Sequence, residues 1–102
     1  MEEKLEGLGI RKSILPLGSI VTIEDHKESV MVIGRKLGVK NSQGNLEVFD
    51  YGGCLYPEGL INGQGIFFNS KDIQGIIHIG YVNEKEETIR KEYEAWEDTQ
   101  NA

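Results

Sequence analysis

Ser19–Arg35 reads SIVTIEDHKESVMVIGR, and how it is parsed decides the fold. Ser19–Ile23 alternates β-branched side chains, Glu24–Ser29 is a polar run, and Ser29–Arg35 returns to nearly continuous apolar residues. Such patterning on either side of a polar break specifies two strands joined by a turn, because alternate side chains of a strand share a face. Downstream, Leu37–Lys40 (LGVK) and Leu46–Tyr51 (LEVFDY) flank Asn41–Asn45 (NSQGN), a cluster of turn formers. This predicts a second hairpin, with Leu46 and Val48 on one face.

The segment Phe49–Asn69, FDYGGCLYPEGLINGQGIFFN, interrupts the pattern with five of the chain's 13 glycines. Glycine accepts positive φ and close backbone approach, and Pro57-Glu58-Gly59 and Asn62-Gly63 are turn signals. The segment therefore reads as an ordered loop that folds Tyr51, Leu55, Tyr56, Leu60, Ile61, Phe67 and Phe68 over the sheet. Strand chemistry resumes in IFFN (Ile66–Asn69) and GIIHIGYV (Gly75–Val82), with Ser70–Asp72 as a short helical turn between them.

At the C-terminus, Asn83 followed by Glu86 gives a helix N-cap, and Ile89, Tyr93 and Trp96 lie on one face at i, i+4 and i+7. Glu86 with Arg90 and Glu87 with Lys91 are favourable i, i+4 pairs for the exposed side. The fold class that follows is α+β: a twisted antiparallel sheet of five or six strands, or a partial barrel, over about residues 15–82, then a helix over about 84–98. Residues 1–102 fit one domain, with Thr99–Ala102 expected to fray.

The formal net charge is −6 and the pI near 4.9. The helix alone contributes −4, from seven acids and three bases between Glu84 and Asp98. This balance repels nucleic-acid phosphates and anionic membranes, and short pairs such as Arg11-Lys12 and Arg35-Lys36 do little to interrupt it. The acidic start MEEKLEGLGI lacks the basic and long apolar runs of a signal peptide, and no stretch is long enough for a membrane span. One cysteine, Cys54, agrees with a reducing compartment. The expected location is the cytoplasm.

No catalytic constellation emerges. The glycines of GLINGQG lack the lysine and hydroxyl of a phosphate loop. A Cys54 nucleophile needs a nearby histidine, and only His26, in a turn, and His78, in a strand, are present. Two distant histidines and one cysteine show no metal-ligand spacing, and no cofactor is implied. The carboxylates sit on the helix and in turns, where solvation accounts for them. The helix stripe either packs on its own sheet or offers Tyr93 and Trp96 to another protein. Tyr93 and Glu97 also fit Y-x-x-x-[DE], a pattern found in helices read by type VII secretion machinery. With four tyrosines and 17 acidic residues in the chain, roughly 0.7 such matches arise by chance, so the motif alone decides nothing.

The succession ILPLGSIVTI, VMVIGR, DYGGCLYPEGL and FFNSKDIQGIIHIGY resembles the domain of unknown function 4176 family of small Gram-positive proteins. The likeness spans about Leu15 to Tyr81, and LYPEGL followed by FFN and DI carries most of it. It implies a cytoplasmic accessory protein associated with type VII secretion and LXG toxins, a chaperone or targeting factor that binds a secreted toxin or a helical targeting protein. No catalytic residue carries over. The matched Leu55, Tyr56, Pro57, Glu58, Gly59, Phe67, Phe68 and Asn69 suit either fold maintenance or partner contact.

The resulting expectation is a non-enzymatic, protein-binding domain, with no nucleic-acid partner and no membrane insertion. Its contact candidates are Tyr51, Leu55, Tyr56, Pro57 and Phe67, joined by Tyr93 and Trp96 on the helix. The alternatives are an immunity protein that binds a toxin domain, and a small-molecule-binding protein or thiol enzyme using Cys54 and His78.

Overall fold

The polar breaks form turns because their residues satisfy the backbone locally. Asn41 does so most completely: its Oδ1 accepts the N–H groups of Gln43 and Asn45, both at 3.0 Å, the local pairing that favours this residue in turns. The computed structural model describes residues 2–100. Its elements are α1 (Glu2–Leu8), β1 (Ile20–Ile23), β2 (Ser29–Lys40), β3 (Leu46–Tyr56), β4 (Ile66–Phe68), a 3₁₀ turn (Ser70–Asp72), β5 (Ile73–His78) and α2 (Glu84–Gln100).

The strands make one open antiparallel sheet in the order β4-β3-β2-β1-β5, so the expected α+β class holds. The two expected hairpins share a strand, since VMVIGR and LGVK are halves of the 12-residue β2. A register shift between Val32 and Gly34 falls inside the first half, and the junction itself is Lys36. β4 and β5 are opposite edges of the sheet, yet only Asn69–Asp72 separates them. Four flat interstrand spacings amount to roughly 19 Å, and a link that is mostly 3₁₀ turn, rising about 2 Å per residue, falls short of that. The sheet is therefore curled, with the N–H of Glu24 donating to the carbonyl of Asp72 at 2.9 Å across the bend.

The mid-chain reading needs correction. FDYGGCLY is not loop: β3 runs unbroken to Tyr56 and only Pro57–Gly65 leaves the sheet. Glycine masked the strand because it carries no side chain to alternate. Its role is close approach. A Cβ at Gly52 would lie 2.5 Å from Leu37 Cδ1, and one at Gly53 would lie 2.7 Å from the Met31 carbonyl oxygen.

Val21, Ile23, Val30, Val32, Tyr51, Phe68, Ile73 and Ile76 point from the sheet into a buried apolar cluster with Leu5, Ile10 and Leu15. The N-terminal segment thus forms the second layer. Helix α1 was not foreseen, because seven residues with an internal glycine carry little intrinsic helicity; burial of Leu5 gives it a tertiary anchor. Of the tail expected to fray, Thr99 and Gln100 belong to α2, while Asn101 and Ala102 lie outside the described residues.

At the far end of β5 the chain passes under the N-terminal segment. The N–H of Gly80 donates to Ser19 Oγ at 2.9 Å, and a Cβ on Gly80 would lie 2.1 Å from the carbonyl oxygen of Leu17. That neighbour is backbone and cannot rotate away, so Gly80→Ala should cost about 1–3 kcal/mol. Gly7→Ala, with nothing within 4 Å of the new methyl group, should leave stability unchanged or slightly raised, both variants being compared with the wild type by urea titration.

Candidate functional site

Two surfaces bear on function, one on the outer face of the sheet and one beneath α2. Outside, Phe67 is paired with Gly52 and its ring lies 5.7 Å from that of Phe49. The bare glycine leaves room for Leu37 and Phe67 on the same side. Ile33, Tyr56, Leu60, Ile61 and Phe67 are exposed, Phe67 at 47%. Beside them the loop edges a shallow hollow lined by Leu55, Gly59, Ile61, Asn62, Gln64, Gly65 and Ile66. No ionisable side chain is among those residues.

Tyr51 is not available as a partner contact, and this corrects the sequence reading. It is 0% exposed because its strand position faces the core, where its ring stacks on Phe68 at 5.3 Å. Its hydroxyl donates to the carbonyl of Lys12 at 2.5 Å and accepts the N–H of Leu15 at 2.7 Å, fastening the N-terminal segment. Burial holds the phenol above its ordinary pKa, against the opposing effect of the Leu15 bond. Leu55 is half-buried against the core. Tyr56, Pro57 and Phe67 are exposed, but Tyr56 lies four residues beyond Gly52, the partner of Phe67, or about 13 Å along the strand.

The pair Cys54 and His78 is likewise kept apart. His78 pairs with Ile20, Ile20 with Met31, and Met31 with Cys54. Three strand spacings, about 14 Å, separate the thiol's strand from the imidazole's, so no thiolate–imidazole dyad forms. Among the described residues no group of three His, Cys, Asp or Glu side chains could hold a metal ion. No helix among them is long and apolar enough to cross a membrane.

The second surface is built on two adjacent cations. Lys36 has a φ of 52°, which breaks the strand's alternation and lets Arg35 and Lys36 both reach α2. Each is fixed from below by the body of the protein: Arg35 Nη1 donates to the carbonyl of Leu15 at 3.3 Å, and Lys36 Nζ donates to the carbonyl of Ser13 at 3.2 Å and to Asp50 Oδ1 at 2.9 Å. From above, Glu86 grips Arg35 through both oxygens at 2.9 and 2.7 Å, and Glu97 accepts from Lys36 at 2.5 Å. Arg11 adds bonds to Glu97 and Asp98, both at 3.1 Å. The Arg35 head lies 5.1 Å from the centre of the Tyr93 ring and the Lys36 ammonium 5.9 Å from that of Trp96.

Tyr93 and Trp96 thus neither pack on the apolar core nor stand free: they cover cations of their own chain. The Y-x-x-x-[DE] pair Tyr93 and Glu97 is engaged internally. The i, i+4 reading of Glu86 with Arg90 on an exposed side also needs correction, because Glu86 is turned inward to Arg35. The N-cap reading stands, with the N–H of Glu86 donating to Asn83 Oδ1 at 2.8 Å. Sequence reasoning missed Arg11, Arg35, Lys36, Asp50 and Glu97 as a set. The one visible signal was a pair of cations at the end of an apolar strand in a chain whose helix is strongly acidic.

Burial pushes the Glu97 carboxyl up, but hydrogen bonds from Lys36, Ser13 and Arg11 outweigh it and hold the group below the usual 4.5. At Asp50 burial again acts upward, and the bonds from Ser70 and Lys36 win, holding it below 3.8. A lowered folded-state pKa means stability that is complete above the ordinary value and lost as pH falls through the lowered one. The helicity of α2 and the unfolding free energy should therefore stay level above about pH 5 and decline below the ordinary carboxylate range. Glu97→Gln should cost about 1.5–3 kcal/mol at neutral pH, the range for hydrogen bonds to charged groups, and should flatten this decline in circular dichroism.

No curated protein and no solved structure matches the chain. A family model does, over residues 14–89, from the N-terminal segment through the whole sheet to the first turns of α2. The match takes in Arg35, Lys36 and Glu86 and stops short of Tyr93, Trp96 and Glu97. It covers well over half of the chain, which therefore belongs to the family described as Domain of unknown function (DUF4176).

Proposed function

We propose that this chain is a non-enzymatic protein-binding domain that acts in the cytoplasm as a chaperone or targeting factor. The observation that carries this reading is the apolar outer surface around Ile33, Phe67 and the Tyr56–Ile61 loop. Several large apolar side chains left exposed, with a hollow without ionisable lining beside the loop, suit a protein contact better than a reaction centre. The charged groups elsewhere support the same view, since the strongest of them are paired with one another across the α2 contact. The partner class comes from the family resemblance: a toxin exported by type VII secretion, or a helical protein that accompanies it. Affinity would come from aromatic anchors such as Phe67 and Tyr56, with the acidic surface discouraging wrong partners.

The test is a pull-down with the wild-type chain and with Phe67→Ser and Leu60→Ser variants, against the targeting segment and the toxic domain of an LXG toxin presented separately. Capture of the targeting segment, reduced at least tenfold by either substitution at unchanged melting temperature, is the expected result. Capture of the toxic domain alone would make the chain an immunity protein. Undiminished capture by both variants would remove the outer face from the contact.

A further inference from the structure

Helix α2 is attached in an unusual way for its length. None of its 17 residues is buried, so no apolar ridge locks it to the sheet. It is seated by Glu86 on Arg35, by Glu97 on Lys36 and Arg11, and by the Tyr93 and Trp96 rings against the two cation heads. Two of the cations are also held by the rest of the chain. Arg35 rests on the Leu15 carbonyl, and Lys36 on the Ser13 carbonyl and Asp50, and beneath α2 their side chains are 5% and 7% exposed. The seat is thus built by the body of the protein, and the helix is what lies in it.

We propose that this cationic trough, Arg11, Arg35 and Lys36 with their carbonyl floor, is a docking site for an acidic helix of a partner protein, and that α2 is the built-in occupant which such a helix displaces. The geometry states what the ligand must carry. Glu86 and Glu97 are eleven residues apart, about 16 Å along a helix axis, and the two aromatic rings lie between and beside them on the same side. A rod presenting two carboxylates at that separation, with an aromatic side chain next to each cation, satisfies the trough. A small anion cannot bridge it. Charge complementarity thus selects an acidic, aromatic-bearing helix, as α2 itself demonstrates.

Because α2 follows directly on the short segment Ile79–Asn83, which is itself anchored through Gly80 to Ser19, it competes as an intramolecular ligand at a high effective concentration. A partner helix binds measurably only when it outmatches α2 or when α2 is weakened. The site is separate from the outer sheet face, and it stands or falls independently of the function proposed above.

The test uses the full-length chain and a fluorescein-labelled, end-capped peptide of residues 83–100 as the probe, followed by fluorescence anisotropy at low salt. The double variant Glu86→Gln/Glu97→Gln should bind this peptide at least tenfold more tightly than the wild type. Binding should vanish when Arg35→Gln and Lys36→Gln are added, when the peptide itself carries glutamine at both positions, or at high salt. Hydrogen exchange should show α2 unprotected in the double variant while the sheet amides stay protected. Equal binding by the peptide and its glutamine version would overturn the proposal, as would a freed α2 with no peptide binding, or an α2 that stays protected after both carboxylates are neutralised. Dimerisation of the double variant that added peptide reverses would give the seat to a second copy's α2 and overturn the partner assignment. Should the double variant fail to fold, Glu97→Gln alone gives the same readout, with about a threefold rise expected and no rise overturning the idea.

Discussion

The turn of backbone at Lys36 is the constraint on which the rest of the architecture depends. A regular strand sends neighbouring side chains to opposite faces, so two adjacent cations ordinarily cannot serve one surface. The left-handed conformation at Lys36 breaks that rule, and Arg35 and Lys36 both meet α2 while resting on carbonyls of the N-terminal segment. Three parts of the chain are tied at one point: residues 11–15, the middle of β2, and the C-terminal helix, which adds no buried residue of its own. Tyr51 reinforces the knot from β3 by bonding the same N-terminal segment.

The energetics of this arrangement favour orientation over strength. Nearly buried charges lose hydration, and their mutual attraction roughly repays the loss when every hydrogen bond is made. Among the described residues no buried side-chain polar atom lacks a partner, which meets that condition. The helix is consequently held in one well-defined pose without a large apolar contribution to keep it there. The outer face shows the opposite balance, with exposed aromatic and aliphatic side chains beside a hollow that no ionisable residue lines. The chain thus carries one face that exposes apolar side chains and another on which charges are paired.

Much of the architecture was legible in the sequence because it is written in local pattern. The alternation of SIVTI, the polar EDHKES, the NSQGN turn, the Asn83 cap and the Ser70–Asp72 turn all act within a few residues, and all appear where pattern places them. What stayed illegible depends on distance. DYGGC hides a central strand because its glycines make room for Leu37 and Phe67 from other elements. α1 exists through burial of Leu5, which no local rule announces. The site was read least well for the same reason: Tyr51 was ranked by its aromatic character, although strand parity turns it inward, and the partners of Glu86 and Glu97 lie more than fifty residues away. Ionic pairing of that kind has no period for the eye to catch.

The order of the strands also sets how much chain each pairing must gather. β1, β2 and β3 follow one another along the chain and pair as neighbours, so each ladder closes only a short loop. β5 instead returns to β1 across the whole intervening meander, and closure entropy grows with the length of chain that must be gathered. The meander can therefore zip early, leaving the outer edge of β1 open and apolar until the last strand arrives. In a nascent chain, that interval is when association with a wrong partner is easiest.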